Sequence, residues 1–225
     1  MLLLITDTSG KHGRVALARA ADSSSEIHML ATVPLVGGTF SAQLVPQIAA
    51  LLANHSLSKA DIDAFIVISG PGSFTGLRVV LAAIKALAEI LQKPIVPVSL
   101  LEVVAVASGR QGRVLPALDA GRGEVYVGEY DLDEESAKAL QEILLSKADF
   151  LKLARESTVA TSDHDLAASV APISASVAEI ASPTADQIAR VGLRKLRAGE
   201  IVSPEQLEAN YIRRSDAEIF SKPNL

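Results

Sequence analysis

The run Ile66-Val67-Ile68-Ser69-Gly70-Pro71-Gly72-Ser73-Phe74-Thr75-Gly76-Leu77-Arg78 constrains this chain more than any other stretch. An apolar, β-branched segment stops at Gly-Pro-Gly and gives way to an apolar helical pattern, which predicts a buried strand, a tight turn and a helix start. Such a turn presents unpaired backbone N–H groups and the positive end of a helix dipole to an anion. The Walker pattern G-x-x-x-x-G-K-[ST] is missing, because Leu77 and Arg78 follow Gly76. A dinucleotide fingerprint fails as well, since Gly70, Gly72 and Gly76 set the third glycine one residue late. The same residues also have a purely local reading: three glycines for close backbone approach, with Thr75 as the helix N-cap.

Strands are expected at Leu2–Asp7, Arg14–Arg19, about Glu26–Val33, Ala64–Ser69 and Ile95–Val98. Helices are expected at Ser41–Asn54, Thr75–Leu91 and Leu100–Ala107, the last capped by Ser99. After Gly109 the pattern restarts with a hairpin, Arg113–Asp119 and Glu124–Tyr130, then helices at Ser146–Ala154 and Thr184–Arg197 flanking a strand at Ser157–Ala160. Residues 132–145 and 167–182 show no clear period, and Asn210–Arg214 reads as an edge strand. The expectation is an α/β chain of two related halves, the second smaller and degenerate: 1–108 and 109–207, with a tail at 208–225 packing back on the first. Each half opens on a strand that ends in an aspartate and a turn, Asp7-Thr8-Ser9 and Asp119-Ala120-Gly121. That duplication resembles the actin-like (ribonuclease H-like) ATPase ground plan, in which two hairpins hold phosphates. On that resemblance Asp7, Thr8, Ser9 and Asp119 are candidate cofactor-binding residues.

Other chemistries find little support. The chain has no cysteine, so thiolate and disulfide chemistry are absent. His12, His28, His55 and His164 stand singly, without metal-ligand spacing. Ser73 does not sit in G-x-S-x-G. Met1-Leu2-Leu3-Leu4-Ile5 is too short for a leader and reads as a first strand. With a net charge of −5, the chain lacks the overall basic balance of an autonomous nucleic-acid binder. Its basic clusters, Arg190/Arg194/Lys195/Arg197 and Arg213/Arg214, read as solvated faces, and direct RNA contact as a supplement to some other surface. Asp119, Arg122, Glu124 and Tyr126 form a dense polar cluster, either a solvated hairpin or a charged one facing a cleft between the halves.

The two long helices carry more apolar surface than one covered face needs. In Thr75–Leu91 the charges Arg78, Lys85 and Glu89 fall within roughly 40° on the wheel. Val80, Ile84, Leu87 and Leu91 can cover a sheet, leaving a flank of Val79, Ala82, Ala83, Ala86 and Ile90. In Ser41–Asn54 the polar Gln43, Gln47 and Asn54 share a narrow stripe, and Leu44, Val45, Ile48, Leu51 and Leu52 spread over the rest. A surface helix needs an apolar stripe little more than 100° wide. Either these helices pack on each other and a third, or they form a partner interface that includes Leu44, Ile48, Leu51, Thr75, Val79, Ala82, Ala83, Ala86 and Ile90. Their polar stripes and modest length argue against a membrane span.

Taken in order, Asp7-Thr8-Ser9, the Ser41–Ile48 segment, Gly70-Pro71-Gly72-Ser73-Phe74-Thr75-Gly76-Leu77-Arg78, Asp119–Tyr126 and Tyr211–Glu218 closely resemble the TsaB (YeaZ-type) family over nearly the full length. The resemblance implies an actin-like fold without a working ATPase, acting as a scaffold rather than an independent enzyme. It also implies pairing with a TsaD-like catalytic subunit, which holds a metal through histidines and transfers threonylcarbamoyl to adenosine 37 of tRNA. A TsaE-like ATPase would join them. The helices matching 41–54 and 75–91 would form the partner interface and, without a partner, a homodimer. Nucleotide and metal would belong to the complex rather than to this chain alone, tRNA would be reached only through the complex, and the setting would be cytoplasmic. The alternative is a small-molecule kinase of the same fold, which lacks here a late Gly-Gly adenosine loop, since Gly192 and Gly199 do not make one. Three positions depart from the family: Phe40 where it usually has His, Gly121 in place of an arginine, and Asn210 where Pro is frequent.

Overall fold

A computed structural model describes residues 1–212 other than positions 22, 23, 25 and 135. The first half runs β1 (Leu2–Asp7), β2 (His12–Ala20), β3 (Ile27–Val36), α1 (Phe40–Asn54), β4 (Ala64–Gly70), α2 (Phe74–Leu91), β5 (Ile95–Ser99) and α3 (Leu100–Ala107), with a 3₁₀ turn at Lys59–Asp61. The second runs β6 (Gly112–Gly121), β7 (Glu124–Leu132), β8 (Ala137–Ser146), α4 (Lys147–Ala154), β9 (Thr158–Thr161), α5 (His164–Val170), β10 (Ser176–Glu179) and α6 (Ala185–Arg197). The two sheets have orders β3-β2-β1-β4-β5 and β10-β9-β6-β7-β8. In each, the first three strands are antiparallel and the last two run parallel to the first. The halves therefore match element for element. The second is smaller in its first two helices and its last two strands, β9 and β10, but complete in its sheet. β8, α5 and β10 occupy the stretches where the sequence showed no period.

The core follows strand alternation. In β1, Leu2 and Leu4 enter one apolar cluster with α1 and α2, while Leu3 and Ile5 enter another with α6. β4 divides in the same way, Phe65 and Val67 against Ile66 and Ile68. A sheet buried on both faces explains why these strands read as continuous apolar runs.

The closing helices cross over. α3 of the first half packs on β6 and β7 of the second sheet, and α6 of the second half packs across β1 to β5 of the first. A Cβ at Gly192 would collide with Ile66, so this glycine lets α6 lie close on β4. The boundary expected at 108/109 thus falls in a link between two halves that each supply a helix to the other. No helix among the described residues is long and apolar enough to cross a membrane.

Candidate functional site

The first hairpin turn, the second hairpin turn, the start of α2 and the end of the described chain converge on one cleft of about 1350 Å³. Among the residues lining it are Ser9, Lys11, Phe74, Arg78, Arg122 and Tyr211. The polar cluster of the second hairpin does face this space, through Asp119, Arg122 and Tyr126. Glu124 lies on the other side of the turn, in a smaller cavity with Lys147, Asp163 and Asp165.

The two hairpin aspartates play the same local part. Asp7 Oδ1 accepts the Ser9 N–H at 3.0 Å and the Ser9 hydroxyl at 2.6 Å. Asp119 Oδ1 accepts the Gly121 N–H at 3.0 Å. Both are Asx turns that bend the chain after a strand. Asp7 is buried and is also paired with Arg14 at 3.5 Å, whose guanidinium in turn donates to the Pro183 carbonyl at 2.6 Å. A cation at this carboxylate would compete with Arg14 for Oδ2, while Oδ1 holds the turn. Asp119, by contrast, is exposed.

The Gly-rich run is explained by what touches it. Its turn includes a cis Gly70–Pro71 bond. The Ser73 N–H donates to the Ser9 carbonyl at 2.6 Å, and the Thr8 hydroxyl donates to the Gly76 carbonyl at 2.7 Å. A Cβ at Gly72 or Gly76 would strike the backbone of Ser9 or Thr8. The helix cap is Ser73, whose hydroxyl accepts the Gly76 N–H; Thr75, expected as the cap, lies inside the helix and is exposed. The cap sits two residues early because Phe74 already has its place in α2. Phe40 fills the floor, its ring against Gly13 and Gly76.

The last described residues form a strap across the site. The Asn210 N–H donates to the Ser69 carbonyl at 2.8 Å, and Arg78 Nε donates to the Tyr211 hydroxyl at 3.1 Å. The Arg78 guanidinium lies 3.7 Å over the Phe74 ring, which packs on Tyr211 with centroids 5.1 Å apart. Glu142 of β8 accepts hydrogen bonds from Ser99, Tyr130 and Asn210, joining both halves and the strap. Burial, with the Glu142 carboxylate beside it, pushes the Tyr130 hydroxyl far above its ordinary pKa, so it stays a donor. Neither Tyr211 nor Ile212 belongs to a strand, correcting the expected edge strand; Arg213 and Arg214 lie outside the described residues. Nothing local in the sequence marked Glu142, because its partners are 43, 12 and 68 residues away.

On the far side of α1 and α2 the expected interface divides. Leu44, Ile48 and Leu51 are buried in the chain's own core, because their spacing of four and three is the inward stripe of α1. Val79 and Ala83 are half-buried against that core. Ala82, Ala86 and Ile90 are exposed, Ile90 at 70% and Val45 of α1 at 54%. The basic cluster of α6 is consumed within the fold. Arg190 pairs with Asp186, Arg194 and Lys195 with Glu102, and Arg197 bonds the carbonyls of Ala21 and Ser24. Among the described residues no group of three or more His, Asp or Glu side chains is placed to hold a metal.

Residues 35–220 match the family model described as TsaD, tRNA N6-adenosine threonylcarbamoyltransferase. The chain is 33% identical over 161 residues to the tRNA threonylcarbamoyladenosine biosynthesis protein TsaB of Bacillus subtilis, covering 69% of this chain and 67% of that one. It is 34% identical over 137 residues to the TsaB protein of Escherichia coli, covering 60% and 57%. The solved structure of YeaZ from Pseudomonas aeruginosa has a TM-score of 0.71 at 24% identity, over 93% of this chain and 99% of that one. A second structure, described by its similarity to peptidase YeaZ from that organism, gives 0.72 at 26%, over 94% and 99%. The paired sheets, the two Asx-turn hairpins and these matches together place the chain in the TsaB (YeaZ) family.

Proposed function

We infer that this chain is a non-catalytic subunit of the machinery that makes threonylcarbamoyladenosine in tRNA. It docks a TsaD-like catalytic partner through the outer face of α1 and α2. The observation that carries this reading is the uncovered apolar patch of Val45, Ala82, Ala86 and Ile90, on two helices whose other faces already fill the core. Small alanines let a second helix pair come close, and about 1,600 Å² of total buried surface is enough for a stable complex. Without the partner, the same patch closes on a second copy. A TsaE-like ATPase joins the assembly, nucleotide and metal reside with the partners, and the complex works in the cytoplasm. The commitment of Asp7 to Ser9 and Arg14 argues against a kinase.

Light scattering of the chain alone and mixed with the TsaD-like protein of the same organism tests this. A defined heteromeric species is expected. The double variant Ala82→Glu, Ala86→Glu is expected to keep its circular dichroism and lose the complex. A folded double variant that still associates normally would overturn the docking face.

A further inference from the structure

The lining of the central cleft is opposite in sign to the molecule that carries it. The chain has a net charge of −5, yet among the described residues the cleft is lined by the fixed cations Lys11, Arg78 and Arg122, with His12 beside them, against the single carboxylate Asp119. All these side chains are exposed. Among the described residues, the basic cluster on α6 is held in ion pairs and carbonyl bonds. A cleft lined mainly by one sign of charge focuses the field, which favours an anion here. The adjoining smaller cavity shares Asp119 and Arg122 with the cleft and adds Glu124, Asp163 and Asp165 with Lys147, so the balance of charge turns acidic on that side.

Shape and chemistry narrow the ligand. At about 1350 Å³ the cleft exceeds the roughly 300–1,000 Å³ of ordinary small-molecule pockets. The first hairpin is locked by Asp7, Ser9 and Arg14, and its loop is bonded to the turn before α2, so no cradle for a metal-bound triphosphate is formed there. What remains is a cationic channel with the rings of Tyr126 and Tyr211 on its walls. Cations that follow a backbone, beside aromatic faces, are what a single-stranded nucleic acid requires. We propose that this cleft binds a single-stranded segment of RNA directly, with Lys11 and Arg122 on phosphates and Tyr126 beside the bases. RNA then meets this chain itself rather than reaching it only through a partner. The choice of RNA rests on the proposed role in tRNA modification, while the cleft itself is separate from the exposed Val45, Ala82, Ala86 and Ile90.

The test is fluorescence anisotropy with the full chain and a labelled ten-nucleotide single-stranded RNA, compared with the same sequence as duplex and with a mononucleotide competitor. Arg122 has φ 58°, so Arg122→Asn removes the charge while keeping a residue that tolerates this conformation. Lys11→Ala and Arg122→Asn are each expected to weaken binding about fivefold at 0.1 M salt, and to lower the salt slope by about 0.7. Circular dichroism should be unchanged in both. The single strand should bind more tightly than the duplex, and the mononucleotide should not compete. Failure of the wild-type chain to bind at low salt, or unchanged affinity in the folded double variant, would overturn the proposal. Full displacement by the mononucleotide would overturn it too, making the cleft a small-anion site.

Discussion

A Cβ added at position 76 would be driven into the Thr8 carbonyl oxygen, a backbone atom in the middle of the first hairpin. At position 121 a Cβ meets nothing within 4 Å, but the backbone there has φ 72°. The two glycines therefore answer to different physics, and substitution separates them. Gly76→Ala is expected to cost about 3 kcal/mol, because overpacking against backbone cannot be relieved by a rotamer change. Gly121→Ala is expected to cost about 1 kcal/mol, the ordinary penalty of a left-handed non-glycine residue. Urea unfolding of both variants checks this, and equal costs would mean that the hairpin yields at Thr8. At this scale the sequence showed that the run is a strand, turn and helix start. It did not show that Ser73 is the cap, since Ser73 and Thr75 are both capping residue types two positions apart, or that Arg78 belongs to Tyr211, which is 133 residues away.

Between elements, α3 and α6 meet through a buried carboxylate. Glu102 accepts from Arg194 at 3.2 Å and lies 3.5 Å from Lys195. Burial pushes the Glu102 carboxyl above its ordinary value of 4.5, against the opposing pull of Lys195 and Arg194. In the window above 4.5 the folded chain then holds more proton on this group than the unfolded chain does. Stability contributed by Glu102 is present at the acid end and falls as pH rises through that window. The stability of wild type relative to Glu102→Gln, from urea unfolding at several pH values, is expected to fall from pH 4.5 toward neutrality, because protonated Glu102 resembles glutamine and only its ionisation meets the burial cost. A relative stability that rises over this range would show that the ion pair outweighs burial. Among the elements, those with a clear period were legible: β1, β4, α1, α2 and α6. β8 was not, since nearly all its residues are half-buried or exposed and no alternation survives. β10 has four residues, too few for a period to show, whereas the equally short β9 lies where a strand was expected, at Ser157–Ala160.

For the whole molecule, the exchange of α3 and α6 makes the two halves one folding unit. Without α6 the inner face of the first sheet, including Ile66 and Ile68, would lie open to water. The full chain is expected to unfold in a single cooperative urea transition, with near- and far-ultraviolet circular dichroism coincident. Residues 1–108 produced alone are expected to lack dispersed amide resonances, and to regain them when mixed with the rest of the chain. A well-dispersed spectrum from 1–108 alone would contradict this. The duplicated order of elements could be read in the sequence, but the crossing could not, because the apolar stripe of α6 does not say which sheet it covers.

The crossing also limits how the molecule can move. Two lobes joined by a simple link can open like a book, but here each lobe carries a helix seated on the other's sheet. Widening or narrowing the space between the hairpin turns therefore means sliding α3 and α6 in place over their sheets, a shear of packed surfaces rather than a hinge rotation. Such sliding of packed helices is small in amplitude.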